Sequence, residues 1–396
     1  MELSNRILGM QASPIRKLVP YANEAVKNGK KVYHLNIGQP DIKTPAGFFT
    51  AVKDFNQEVL AYADSKGDPN LIKKISEYYK TYNLDYEPED IIITNGGSEA
   101  LLFAIVACCD PGDSIMVVEP FYTNYNGFAS EVSVNVEGIM TTAENGYRIP
   151  SKEEILSQLS DKVRCMIITN PSNPTGVVYT KEELQTLTEI AIEKDMFIIA
   201  DEVYREFVYD GEFTSFGSFE NVKDLVIIID SVSKRYSACG ARIGCLASKN
   251  NEFIANVLKL CQGRLSVPTL DMIGSAALYD TPVSYFKEVN DEYKRRRDVV
   301  KEELGKIPGV VSSSPQGAFY VAAKLPVDDA EKFVIWCLQN FDYEGGTVMM
   351  APLESFYAHS GHGVDEVRIA YVLNTEDLKK AIRIVGKALE VYPNRK

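Results

Sequence analysis

Residues 226–234 read Val226-Ile227-Ile228-Ile229-Asp230-Ser231-Val232-Ser233-Lys234. Four consecutive apolar residues leave no polar face. A strand built from them must be covered on both sides, as strands are in parallel sheets lying between layers of helices. The same texture recurs upstream in Ile91-Ile92-Ile93, Ile115-Met116-Val117-Val118, Met166-Ile167-Ile168 and Phe197-Ile198-Ile199. The segments between these runs have helical spacing. Ser151 with Glu154, and Thr180 with Glu183, fit capping boxes at helix starts. Strand–helix alternation of this kind predicts a mainly parallel α/β sheet over about residues 70–250.

The flanks read differently. Ile15, Leu18, Val19, Ala22 and Val26 recur at helical spacing, Pro20 begins or kinks that helix, and Gly29 ends it. After about residue 280 the pattern predicts a long charged helix over 284–306 and a strand at Gly317–Val321. Two more helices follow, near 328–341 and 376–391, the last with Leu378, Ala381, Ile382, Val385 and Leu389 on one face. This is the mixture of a smaller α+β domain. The expected division is an N-terminal segment 1–40 packing with the small domain, a large domain 41–282 and a small C-terminal domain 283–396. The basic run Lys294-Arg295-Arg296-Arg297 lies among acidic residues and is read as a solvated helix face.

Composition narrows the function. Of 396 residues, 45% are hydrophobic and 24% charged, which excludes disorder as the main state. No apolar run is long enough to span a bilayer, and the first residues lack the apolar block of a secretory signal. A net charge of −13 argues against nucleic acid or an anionic membrane as the main partner. The seven cysteines, an odd number without a CxxC, read as reduced thiols of a cytoplasmic protein. His359 and His362, with Asp365 nearby, are read as loop residues and not metal ligands; no metal site is expected.

In an open parallel sheet, ligands bind beyond the carboxyl ends of the strands. There the sequence places the turn Gly96-Gly97-Ser98-Glu99, the aromatic Tyr122, the amide of Asn173, Asp201 with Tyr204, and Lys234 between serines. A glycine turn opening a helix cradles a phosphate, a lysine forms an imine with an aldehyde, and a carboxylate keeps a heteroaromatic nitrogen protonated, making the ring an electron sink. Each feature alone has an ordinary structural reading. Together they describe a site for pyridoxal 5′-phosphate (PLP).

At this point the chain resembles the class I/II aminotransferases, PLP enzymes of fold type I, and within them the branch of many bacterial aspartate aminotransferases. The likeness runs from Leu35-Asn36-Ile37-Gly38-Gln39-Pro40-Asp41 to Val367-Arg368-Ile369-Ala370. It is most specific in Ser231-Val232-Ser233-Lys234 continuing to Gly240-Ala241-Arg242-Ile243-Gly244. The resemblance implies a large domain with a mainly parallel seven-stranded sheet and a smaller α+β domain. It implies that Lys234 holds the cofactor and moves the substrate proton, and that Asp201 pairs with the ring nitrogen. Tyr204 and Asn173 donate to the phenolic oxygen, and Tyr122 stacks on the ring. Gly97, Ser98, Glu99, Ser231, Ser233 and Arg242 take the phosphate, joined by Tyr62 of the neighbouring subunit in a homodimer with shared sites. Arg368 takes the substrate α-carboxylate, with Asn173 and Gly38 beside the substrate.

Two features lie outside the shared pattern. The stretch Ala351-Pro352-Leu353 has leucine where the family has glycine, which bears on the shape of the substrate pocket. Arg264 either reads a side-chain carboxylate or forms a structural salt bridge. The expected activity is ping-pong transfer of an amino group from an L-amino acid, aspartate or glutamate by resemblance, to a 2-oxo acid such as 2-oxoglutarate. The alternatives are an aromatic- or alanine-type aminotransferase and a C–S lyase, although related lyases carry histidine where Tyr204 stands. A non-catalytic effector-binding protein on the same fold is more remote. A nucleotide-dependent oxidoreductase is excluded, because the Gly96-Gly97 turn lacks GxGxxG spacing.

Overall fold

The chain, as a computed structural model, is described at every residue except Met1 and Ala12. The apolar runs form the strands of one sheet. In chain order the strands are β1 (Lys31–His34), β2 (Ile91–Thr94), β3 (Ser114–Val118), β4 (Asn135–Ile139), β5 (Val163–Thr169), β6 (Phe197–Asp201), β7 (Val226–Ser231), β8 (Gly244–Ala247), β9 (Val311–Ser312), β10 (Tyr320–Lys324), β11 (Gly346–Met349), β12 (Ala351–Pro352) and β13 (Glu366–Ala370). Seven of them make a sheet in the order β2-β8-β7-β6-β5-β3-β4. Only β8 runs against its neighbours. The mainly parallel seven-stranded sheet is thus present.

Successive residues of each strand point to opposite faces, and here both faces are core. Ile92, Ile115, Val117, Ile167, Ile199 and Ile227 pack in one apolar cluster. Ile91, Ile93, Met116, Met166, Ile198 and Ile228 pack in another. This double burial is why the runs carry no polar alternation. Both anticipated capping boxes form, at the helices Lys152–Gln158 and Lys181–Lys194.

A second core gathers around the antiparallel sheet β12-β13-β10-β9, the parallel pair β1–β11 and the helices Val283–Leu304, Ala330–Asn340 and Thr375–Val391. The helix Val19–Lys27 joins it. Pro20 sits in its first turn rather than kinking it, and Leu18, Ala22 and Ala25 are its buried contacts. Val19 and Val26, read as part of the apolar face, are exposed instead. The strand expected from Gly317 begins only at Tyr320, because Ala318 turns the chain with φ +54°.

The basic run corrects the sequence reading. Arg295 projects into solvent, but Arg296 and Arg297 are buried. Arg296 donates to Asp41 Oδ1 at 2.7 Å, to Asp41 Oδ2 at 3.2 Å and to the Val372 carbonyl at 2.8 Å. Arg297 pairs with Asp210 and Asp298 and donates to the Pro315 carbonyl at 3.1 Å. Arg296 and Arg297 face loops that cross the helix, while Lys294 and Arg295 face water. Arg297→Ala leaves a buried carbonyl and a carboxylate without their donor and is expected to lower stability by about 2 kcal/mol. Arg295→Ala is expected to change it by less than about 0.5 kcal/mol. Urea unfolding of the two variants checks this; equal midpoints would restore the solvated reading.

Candidate active site

The carboxyl ends of β5, β6 and β7 open into a cavity of about 400 Å³. Strand register sets its floor. Thr169 pairs with Asp201, and Asp201 with Ile229, so the last residues of β5 and β6 lie in one row with Ile229, two residues before the end of β7.

Asp201 is 4% exposed. Its Oδ2 accepts from the Tyr125 hydroxyl at 2.7 Å, and Tyr125 in turn lies 2.5 Å from Thr169 Oγ1. Its Oδ1 is buried and unpartnered. Burial pushes the Asp201 carboxyl up to about 6, against the Tyr125 hydroxyl and the Val203 amide, which favour the ion. A buried acceptor aimed at nothing in the protein fits a ligand N–H.

Lys234 sits in the short helix Val232–Arg235 that follows β7 at once, and its Nζ donates to the Gly38 carbonyl at 2.9 Å. Gly38 is glycine for space: a Cβ there would lie 1.7 Å from the Tyr320 hydroxyl. Ser231, Ser233, Tyr122 and Asn173 line the same cavity. Tyr204 does too, and its hydroxyl is 2.9 Å from that of Tyr320. Burial raises the Tyr204 hydroxyl well above its usual range, which keeps it a protonated donor.

The anion cradle is the start of the helix Gly96–Cys108, where Gly97 and Ser98 face the cavity beside Arg242. Gly96 has φ +75°, and a Cβ on it would meet the Arg242 guanidinium at 2.4 Å. Free amides, the helix dipole and a guanidinium converge there, which suits a phosphate.

Arg368 of β13 closes the opposite side. It donates to the Asn36 carbonyl at 2.6 Å and to Asn173 Oδ1 at 3.0 Å, while its buried Nε is unpartnered. The guanidinium lies 4.6 Å over the Tyr320 ring. Its cross-strand neighbours are Ala322 and Ala351, which leave it room.

The side chains of two expected residues lie elsewhere in this single chain, although the Glu99 amide stays in the first turn of the helix Gly96–Cys108. The Glu99 carboxylate turns back to the Asn95 amide at 2.8 Å and to Arg264 Nε at 3.1 Å, outside the cavity. Tyr62 is 82% exposed and also lies outside it. Arg264 is held in place, since it also donates to the Ile93 carbonyl at 2.9 Å. Its reading as a structural salt bridge is the one the geometry favours. Leu353 is fully buried in the core and does not line the cavity, so the Pro352-Leu353 departure leaves the pocket wall untouched. His359 Nδ1 lies 2.9 Å from the buried Glu119 carboxylate.

Sequence reasoning missed Tyr125, Tyr320 and Asn36, which support Asp201, Tyr204 and Arg368. It also missed Ser13, Ile15, Arg16 and Val19, through which the N-terminal segment lines the cavity. Only the strand signal around Phe319 hinted at Tyr320.

The unpartnered Asp201 oxygen, the glycine-opened helix start with Arg242, and Lys234 between them fit PLP at ring nitrogen, phosphate and aldehyde carbon. Comparison with known proteins agrees. The family profile "Aminotransferase class I and II" matches residues 30–385. A probable aspartate/prephenate aminotransferase of Aquifex aeolicus is 31% identical over 98% of both chains. The structure of Thermus thermophilus aspartate aminotransferase with maleate superposes with a TM-score of 0.88 at 26% identity, covering 98% of this chain and 100% of the other. Alanine aminotransferase from Pyrococcus furiosus superposes equally well at 31% identity, covering 98% and 99%. The chain therefore belongs to the class I and II aminotransferases, PLP-dependent transaminases of fold type I.

Proposed function

We propose that this aminotransferase takes its nitrogen from aspartate or glutamate and gives it to a 2-oxo acid such as 2-oxoglutarate, in ping-pong fashion, as a cytoplasmic homodimer. The observation that carries the reading is that Arg368 of the small sheet lines one cavity together with Lys234 and Asp201 of the large domain. Arg368 offers Nε to the α-carboxylate, a planar fork held from behind by Asn36 and Asn173. An α-carboxylate held there would leave the substrate Cα in the cavity that Lys234 also lines.

Bound PLP supplies the electron sink for the carbanion at Cα. The residues do the rest. Lys234 would hold the cofactor, and its Nζ would take the proton from the substrate Cα and hold it for return. Asp201 Oδ1 takes the ring N–H and stays ionised against it. Tyr204 and Asn173 donate to the phenolic oxygen, and Tyr122 covers one ring face. The amides of Gly97, Ser98 and Glu99, the hydroxyls of Ser231 and Ser233 and the Arg242 guanidinium grip the phosphate. Gly38 keeps its carbonyl on Lys234 until substrate arrives.

Phe49, Val59, Leu60 and Tyr62 support the homodimer, since all four are more than half exposed in the single chain. Tyr62 in that patch is free to reach the partner's phosphate. Free cysteines support a reducing compartment. Among the described residues no helix is long and apolar enough to cross a membrane.

A single-turnover panel of amino acids, read by loss of the PLP absorbance, tests the substrate. Aspartate and glutamate are expected to react fastest. Alanine or phenylalanine in front would favour the alanine- or aromatic-type reading, to which the Pyrococcus furiosus neighbour lends support.

Lys234→Ala is expected to abolish turnover and the covalent link, so that borohydride no longer fixes cofactor to protein. When co-expressed with Tyr62→Phe, it is expected to regain part of the activity through mixed dimers carrying one sound site. Fixation at another lysine would refute the first role. An active species sedimenting at the 44.1 kDa of one chain would refute the shared site.

Asp201→Asn is expected to bind PLP and lose roughly 10²–10³ in kcat. The apo form gives a second readout. The Asp201 carboxyl titrates near 6 when folded, above its ordinary 3.8. The folded apo protein therefore binds the proton more tightly than the unfolded chain. This stabilises it fully below about pH 4, and the contribution disappears as pH rises through 6. Relative to the wild type, the Asn variant should gain up to about 3 kcal/mol between pH 4 and 7. Parallel stability curves would show that burial does not hold this carboxyl up.

A further inference from the structure

Among the described residues, four cationic side chains line the cavity, Arg16, Lys234, Arg242 and Arg368, against one carboxylate, Asp201. The proposed reaction uses three of the four. Arg242 meets the phosphate, Arg368 the α-carboxylate, and Lys234 the cofactor carbon. A substrate with a single carboxylate leaves Arg16 without a counter-charge.

Arg16 is placed for a ligand by its backbone. It opens the short 3₁₀ turn Arg16–Leu18, with its amide donating to the Ser13 carbonyl at 3.1 Å. Leu18, two residues on, is fully buried in the second core. The turn is therefore anchored while the guanidinium stays exposed at the cavity wall. Among the described residues no hydrogen bond or ion pair engages that guanidinium. Arg264, the other arginine weighed for this task, already holds Glu99 and the Ile93 carbonyl and does not line the cavity. Ser13 and Asn124 add neutral polar groups to the same lining.

We propose that Arg16 reads the side-chain carboxylate of a dicarboxylic substrate. Its arm from the N-terminal segment makes the site selective for acidic amino acids. The inference rests on the acidic-substrate reading above. It assigns that selectivity to the one lining cation that the chemistry leaves free. It also explains how an acidic protein draws in a dianion: the wall is locally basic although the chain is not.

The test is equilibrium binding to the holoenzyme, followed by the cofactor absorbance, with maleate as an unreactive dicarboxylate and propionate as its single-carboxylate control. Arg16→Gln is expected to raise the Kd for maleate roughly tenfold, about 1.4 kcal/mol, and to leave propionate unchanged. Arg16→Lys is expected to recover part of the loss. Equal weakening of both ligands, or an unchanged Kd for maleate, would overturn the role of Arg16. If the wild type binds maleate no better than propionate and prefers alanine in turnover, the acidic-substrate reading itself falls. A wild type that prefers dicarboxylates, with that preference intact in Arg16→Gln, removes this inference alone.

Discussion

A carboxylate at the end of a strand buried on both faces is the most expensive group this sheet carries. Asp201 stands in a row with Thr169 and Ile229, nearly all of it withdrawn from water. One of its oxygens is satisfied by Tyr125, and the other by nothing in the protein. Desolvating such a group without a partner costs several kcal/mol. On the proposed role of Asp201, a protonated ring nitrogen would repay that cost on binding. Much of the site serves this one opposition of charges. Tyr125 fixes the orientation of the carboxylate, and on the proposed roles the helix start with Arg242 would hold the phosphate end of the cofactor.

Two buried ion pairs stiffen the strand ends next to it. Glu202, directly after Asp201, pairs with Arg205. Asp230, one residue before Ser231, pairs with Arg235 and accepts the Ser231 amide at 2.7 Å. The Arg235 guanidinium lies 4.2 Å from the centre of the Tyr78 ring, and that of Arg205 lies 4.9 Å from Tyr79. Such pairs add little net stability compared with apolar packing. What they do here is hold the residues on either side of Asp201 and Lys234 to one geometry before any ligand binds.

The sheet was legible because double burial leaves a signature that needs no partner strand to be seen. β8 was not, since Gly244-Cys245-Leu246-Ala247 is short, rich in small residues and antiparallel. β4 was not, because an edge strand keeps polar positions such as Asn135 and Glu137. The residues beyond the strand ends could be read because topology rather than local pattern puts them together. Tyr320 escaped, since its link to Tyr204 spans 116 positions. Asn36 escaped for the same reason, being 332 positions from Arg368. The basic run misled because charge alone does not say which face of a helix later loops will cross.

Arg368 belongs to the small antiparallel sheet, and Lys234 to the short helix that follows β7 of the large, mainly parallel one. On the proposed roles, the carboxylate of an amino acid is gripped by one layer, while its Cα–H is worked by the other. Its nitrogen is tied to the cofactor, which the large sheet also holds. Three of the four substituents at Cα then have fixed directions, and the side chain takes the only one left. The mirror-image amino acid, held by the same carboxylate and nitrogen, must turn either its hydrogen away from Lys234 or its side chain into it. On those roles, the handedness of the substrate follows from how the two sheets are set against each other, and not from any single residue that touches the chiral centre.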